Sequence, residues 1–135
     1  MAVDAPEVAG ADAAACRALL DDLPGTLAGQ DRREVEPPDA AAAAWGDPAI
    51  VLTCGVPRPD LDQFAPCLEA NGVGWFVESE DESDPEAPAT VTAAGYEPTV
   101  RVEIPSDRQP EGVASVTAGL AAVVEEHLEL VDPCA

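Results

Sequence analysis

Proline sets the ceiling on every element this chain can build. Fourteen prolines and ten glycines interrupt its 135 residues, so a long helical bundle is closed to it. Short segments are left between the breaks. The clearest is AIVLTCGV, residues 49–56, opened by Gly46-Asp47-Pro48 and closed by Pro57-Arg58-Pro59. Its alternation sends Ile50, Leu52, Cys54 and Val56 one way and Val51, Thr53 and Gly55 the other, the mark of a strand. The closing prolines end its ladder because proline has no N–H to donate.

The same punctuation divides the rest. Residues 1–11, acidic and alanine-rich, read as a loose arm, and 12–135 as a single domain. Asp12 caps a helix over Ala13–Leu23 whose apolar face is Cys16, Leu19, Leu20 and Leu23, and Pro24-Gly25 ends it. A short strand is expected around Arg33–Glu36, and residues 60–70, with Phe64 and Cys67, read as a loop or one helical turn. NGVGWFVES gives a turn and a second strand, EDESDPEAP an acidic loop. ATVTAAGYEP and TVRVEIPS form a hairpin turning near Gly95–Pro98. In its second arm Val100, Val102 and Ile104 alternate with Thr99, Arg101 and Glu103, which describes an antiparallel strand with one wet face. Ser106 or Asp107 caps a last helix with Pro110 in its first turn and a buried stripe of Val113, Val116, Leu120, Val124 and Leu128. Helix, strands, helix predicts an α+β fold: a mostly antiparallel sheet of about four to six strands, with the N-terminal and C-terminal helices packed on one face.

Charge excludes whole classes of partner. Against 27 acidic residues stand six basic ones, all arginine, for a net charge of −21. Nucleic acid and anionic membrane surfaces would repel such a chain. The bias fits a high-GC genome, a halophilic surface, or both. Without lysine, Schiff-base and Ser-Lys chemistry are impossible. The four serines, Ser79, Ser83, Ser106 and Ser115, sit in no nucleophile elbow, and no glycine-rich phosphate loop is present. His127, near the end of the last helix, either complements the helix dipole or acts as a base oriented by Glu125 or Glu126, and its position favours the first. The run from Glu78 to Glu86 lacks the spacing of a calcium loop and reads as solvated. Asp47 and Arg58 flank the strand at 49–56 and could form a ligand or partner surface with Trp45 and Trp75; turn chemistry explains them equally well. No catalytic residue, cofactor or metal site is expected.

Four cysteines remain: Cys16, Cys54, Cys67 and Cys134. Their spacing suits no zinc site, and an even number in a thin-cored chain suits disulfides and an oxidising compartment, with four reduced thiols as the alternative. Cys16 lies on the apolar face of the first helix and Cys54 on the Ile50/Leu52 face of its strand. Packing that helix on that face pairs them and leaves Cys67 with Cys134. The start shows no signal peptide or membrane span, which suggests a trimmed soluble part behind an added Met1.

CRALLDDLPGTLAGQDRREVEP, AAAWGDPAIVLTCGVPRP, NGVGWFVES and VRVEIPS together resemble an actinobacterial family catalogued as domain of unknown function 3515. The likeness spans about residues 13–105 and, more loosely, the last helix. It implies an extracytoplasmic domain tethered by a preceding membrane segment or lipoprotein-like signal. It also implies the Cys16–Cys54 pair, with Cys67 and Cys134 an addition here. The family brings no assigned activity. The expected role is binding or structural interaction with an envelope protein or small ligand. The alternative is an enzyme or enzyme accessory acting near cell-wall synthesis.

Overall fold

A computed structural model describes residues 3, 7–36, 40–57, 67–79, 81, 83–84, 86–93, 95–108 and 112–131. In chain order come α1 (Gly10–Asp21), β1 (Thr26–Leu27), β2 (Gln30–Arg33), β3 (Ala42–Trp45), β4 (Ile50–Cys54), β5 (Cys67–Ala70), β6 (Val73–Ser79), β7 (Ala89–Thr92), β8 (Tyr96–Glu97), β9 (Val100–Ile104), a 3₁₀ turn (Ser106–Arg108), α2 (Gly112–His127) and β10 (Glu129–Leu130). The fold is α+β, as expected. The strand count is a correction: eight strands form one sheet in the order β1-β2-β3-β4-β9-β7-β6-β5, and β8 and β10 make a separate pair. The strands beyond the expected number are short or polar. The short strand expected around Arg33–Glu36 lies earlier, at Gln30–Arg33, where three exposed residues out of four carry no apolar alternation to read.

Every ladder in the large sheet is antiparallel. The chain builds the sheet inward from both edges and then closes it with β9. Register places Ala43, Leu52, Val102, Val91 and Val77 in one row. That face lies under the helices and holds the core, with Trp45, Ile50, Val73, Trp75 and Val100 fully buried. On α2 the expected stripe is present: Val116, Leu120, Val124 and Leu128 are buried, and Val113 packs half-buried against them. Thr117 is buried in the same helix because its hydroxyl donates to the Val113 carbonyl at 2.8 Å.

The first helix starts and stops earlier than the expected Ala13–Leu23. It begins at Gly10 after Ala9, with no side-chain cap, and ends at Asp21. Pro24 explains the end, since a proline disfavours helical backbone in the residue before it. Leu23 still turns its side chain into the core. The arm expected over 1–11 is anchored where it is described. Val3 N–H donates to the Glu36 carbonyl at 3.1 Å, and Val8 packs on the core. Gly55, at φ +84°, makes room for it: a Cβ there would lie 2.5 Å from a Val8 methyl.

The predicted Cys16–Cys54 disulfide is formed, with Cα atoms 5.8 Å apart and both residues buried. It closes a 38-residue separation, which the chain-entropy model values at about 4 kcal/mol. Cys67 is also disulfide-bonded, and the Cys134 end of the expected Cys67–Cys134 bridge lies outside the described residues.

Candidate functional site

Of the residues suggested as a ligand surface, the two tryptophans are not at the surface. Trp45 and Trp75 are both 0% exposed, because register sets each on the helix-facing side of its strand. Trp45 donates its indole N–H to the Pro24 carbonyl at 3.0 Å, and Trp75 Nε1 is buried without a hydrogen-bond partner. Asp47 is exposed in the β3–β4 turn, with Arg33 Nη1 at 3.9 Å. Arg33 also donates to the Gly46 carbonyl at 3.2 Å. Arg58 lies outside the described residues.

The described acids of the 78–86 run organise their own loop. Asp81 Oδ1 accepts from the Ser83 amide at 3.0 Å and its hydroxyl at 2.6 Å, and Asp84 Oδ1 accepts from the Glu86 amide at 2.9 Å. The Ser83 hydroxyl, then its amide, lowers the Asp81 carboxyl below its ordinary value. On the helix-free face of the sheet, Arg101 stands between Thr53 and Thr92. It faces Glu103 at 3.7 Å, and its Nε has no hydrogen bond.

The dense cluster lies where the helices end. His127, the last residue of α2, places Nε2 3.0 Å from Oδ2 of Asp22, the residue that caps α1. The two are 105 residues apart in sequence. Glu126 joins them: one donor atom from each of the three residues lies within 4.8 Å of the others. The His127 side chain is 19% exposed and that of Asp22 53%, so the imidazole is largely enclosed while solvent reaches the carboxylate.

More carboxylates converge on this end. Glu125 sits over the β5–β6 turn, where a Cβ on Gly72 would lie 2.5 Å from Glu125 Oε1. Tyr96 is close by. Its phenol is pushed above the ordinary value by burial first, then by the charges of Glu125 and Glu69. The chain after α2 folds back onto the same region, with β10 paired to β8 and the Val131 amide donating to the Gly95 carbonyl at 2.8 Å. Helix C-termini carry partial negative charge. Here they hold Asp21 and Asp22 with no basic residue in the last turn of α1, and Glu125 and Glu126 with only His127 in that of α2. Local propensity opposes this placement, and such conflicts concentrate at functional sites.

A family model described as a protein of unknown function, DUF3515, matches residues 1–132. The chain belongs to the DUF3515 family. No curated protein and no solved structure matches it. In this DUF3515 domain the His127 environment corrects the sequence reading in one respect. The imidazole does sit at a helix C-terminus, but the carboxylate it hydrogen-bonds is Asp22 on the other helix rather than Glu125 or Glu126, of which Glu126 stands in the same group. The pairing crosses 105 residues and leaves no local spacing to read. The only available signal is two acidic doublets, Asp21-Asp22 and Glu125-Glu126, each at the wrong end of a helix for the dipole.

Proposed function

We propose that this DUF3515 domain is an extracytoplasmic cell-envelope module that works by binding, is tethered to the membrane in the full-length protein, and docks a basic partner protein at the end where its helices meet. One convergence carries the reading. The exposed large apolar side chains among the described residues are Leu68, Leu130 and Val131. Leu68 lies on β5, which runs into the turn beneath Glu125, and the other two follow the end of α2. Leu130 pairs with Tyr96, which feels the charges of Glu125 and Glu69, and apolar contact beside those acids suits a partner that sets apolar residues among lysines and arginines. A net charge of −21 speeds the encounter with such a surface. The buried Cys16–Cys54 bridge supports an oxidising compartment.

Photo-crosslinking in cells tests this. A crosslinker at Val131 is expected to trap one basic envelope protein, while one at exposed Ser115, in the first turn of α2 at its far end from His127, traps none. Adducts that do not depend on position would defeat the docking surface. Thiol trapping that found Cys16 and Cys54 reduced in the producing cell would defeat the exterior compartment.

A further inference from the structure

We propose that Asp22, Glu126 and His127 form a binding site for a divalent transition-metal ion, with zinc the best match. The proposal stands on these three side chains and does not require the partner reading. One imidazole nitrogen with two carboxylate oxygens is a borderline donor set: too nitrogenous to favour magnesium or calcium, and lacking the thiolates that would favour copper(I).

The spacing is close to that of a bound ion. Zinc sits about 2.0–2.2 Å from nitrogen and oxygen donors, so tetrahedral donors lie about 3.3–3.6 Å from one another. His127 Nε2 and Asp22 Oδ2 are already at 3.0 Å, and the group as a whole spans no more than 4.8 Å. Closing the remainder needs only rotation of exposed carboxylate side chains. Glu126 and His127 are neighbours on one helix and diverge around its axis. Their donor atoms nonetheless lie within 4.8 Å of one another and of the Asp22 carboxylate, which arrives from the end of the other helix.

Electrostatics favours a cation there. Two helix C-termini point their negative ends at the site, and Asp21 and Glu125 adjoin it in sequence. Each helix contributes at least one donor, so the ion ties the end of α1 to the end of α2.

Titration of the full chain with zinc chloride, followed by calorimetry and thermal unfolding, tests the site. Cobalt(II) serves as an optical probe. The wild type is expected to bind one equivalent of zinc, to unfold at a higher temperature with zinc present, and to give cobalt the intense visible absorption of low coordination number. H127Q and E126Q are expected to weaken zinc binding about tenfold or more and to remove the cobalt bands. E129Q, which changes an exposed acid outside the group, keeps the wild-type response. Far-UV circular dichroism of the metal-free variants establishes that they fold, and E126Q alters only an exposed side chain. Zinc binding of equal strength in wild type and E126Q, or no saturable binding at millimolar zinc, overturns the proposal. The assay contains no partner, so its result is independent of the docking surface.

Discussion

Trp45 and Trp75 are equally buried, yet their indole nitrogens stand in different situations. Trp45 donates to Pro24 O, the carbonyl of the residue that ends α1, whereas Trp75 Nε1 meets no acceptor. Replacing either ring with phenylalanine removes similar volume. W45F also strands a carbonyl, while W75F removes an unpaired donor. W45F is therefore expected to cost about 1 kcal/mol more than W75F, as read from urea midpoints; equal losses would mean the Pro24 bond adds nothing net. Tyr96 gives the alkaline counterpart. Burial, then Glu125 and Glu69, raises its pKa above the ordinary 10.0, so the folded state holds the phenolic proton after the unfolded state has begun to lose it. The stability it contributes is intact below about pH 10 and lost as pH rises through the folded value. Y96F should flatten the fall in melting temperature between about pH 9 and pH 12; an unchanged alkaline limb would remove Tyr96 from the account. The inside position of Trp75 was readable, since it shares one face of its strand with Val73 and Val77. That of Trp45 was not, because Ala42–Trp45 is buried on both faces and a strand covered on both sides shows no alternation.

At the scale of elements, α1 is the piece least able to hold itself. Twelve residues are marginal as an isolated helix, and the buried side chains it offers within its span are Cys16 and Leu19. Its attachment therefore leans on the disulfide to β4. The double variant C16A/C54A is expected to lose about 2–4 kcal/mol, measured by urea denaturation. A loss under about 1 kcal/mol would show that packing of α1 on the sheet suffices without the bridge. The elements most legible in the sequence are those whose core-facing residues recur at a regular spacing. The AIVLTCGV strand, the Val100–Ile104 strand and the stripe on α2 all carry their periodicity openly. β2 and β5 do not, because backbone pairing holds them in the sheet while Asp31, Arg32 and Arg33 of β2 and Cys67, Leu68 and Glu69 of β5 keep their side chains exposed. The candidate site was hidden for a related reason. Its members come from two helix ends, a strand, and the connection between β7 and β9, and only the completed antiparallel order brings those ends together.

For the molecule as a whole, charge sets two salt responses of opposite sign. Folding crowds many of the 27 acidic residues onto a small surface, and Asp22, Glu125 and Glu126 add repulsion from helix ends to repulsion from one another. Both are screened as the Debye length falls from about 30 Å at 0.01 M salt to about 3 Å at 1 M. The melting temperature should therefore climb as sodium chloride is raised across that range. E126Q, which removes one charge from the crowded end without touching the core, should unfold at a higher temperature than wild type at low salt and match it at high salt. A requirement for molar salt merely to stay folded would point to a halophilic habitat, whereas a modest, saturating rise fits simple relief of repulsion. The partner complex should respond the other way. Its encounter depends on unscreened attraction between the acidic end and a basic surface, so association should slow as salt rises, with the loss concentrated in the on-rate. Stopped-flow association with the crosslinked partner, run beside thermal unfolding in the same buffers, separates the two effects. An on-rate indifferent to salt would leave the acidity as a property of the fold's surface alone and would remove charge from the basis of recognition.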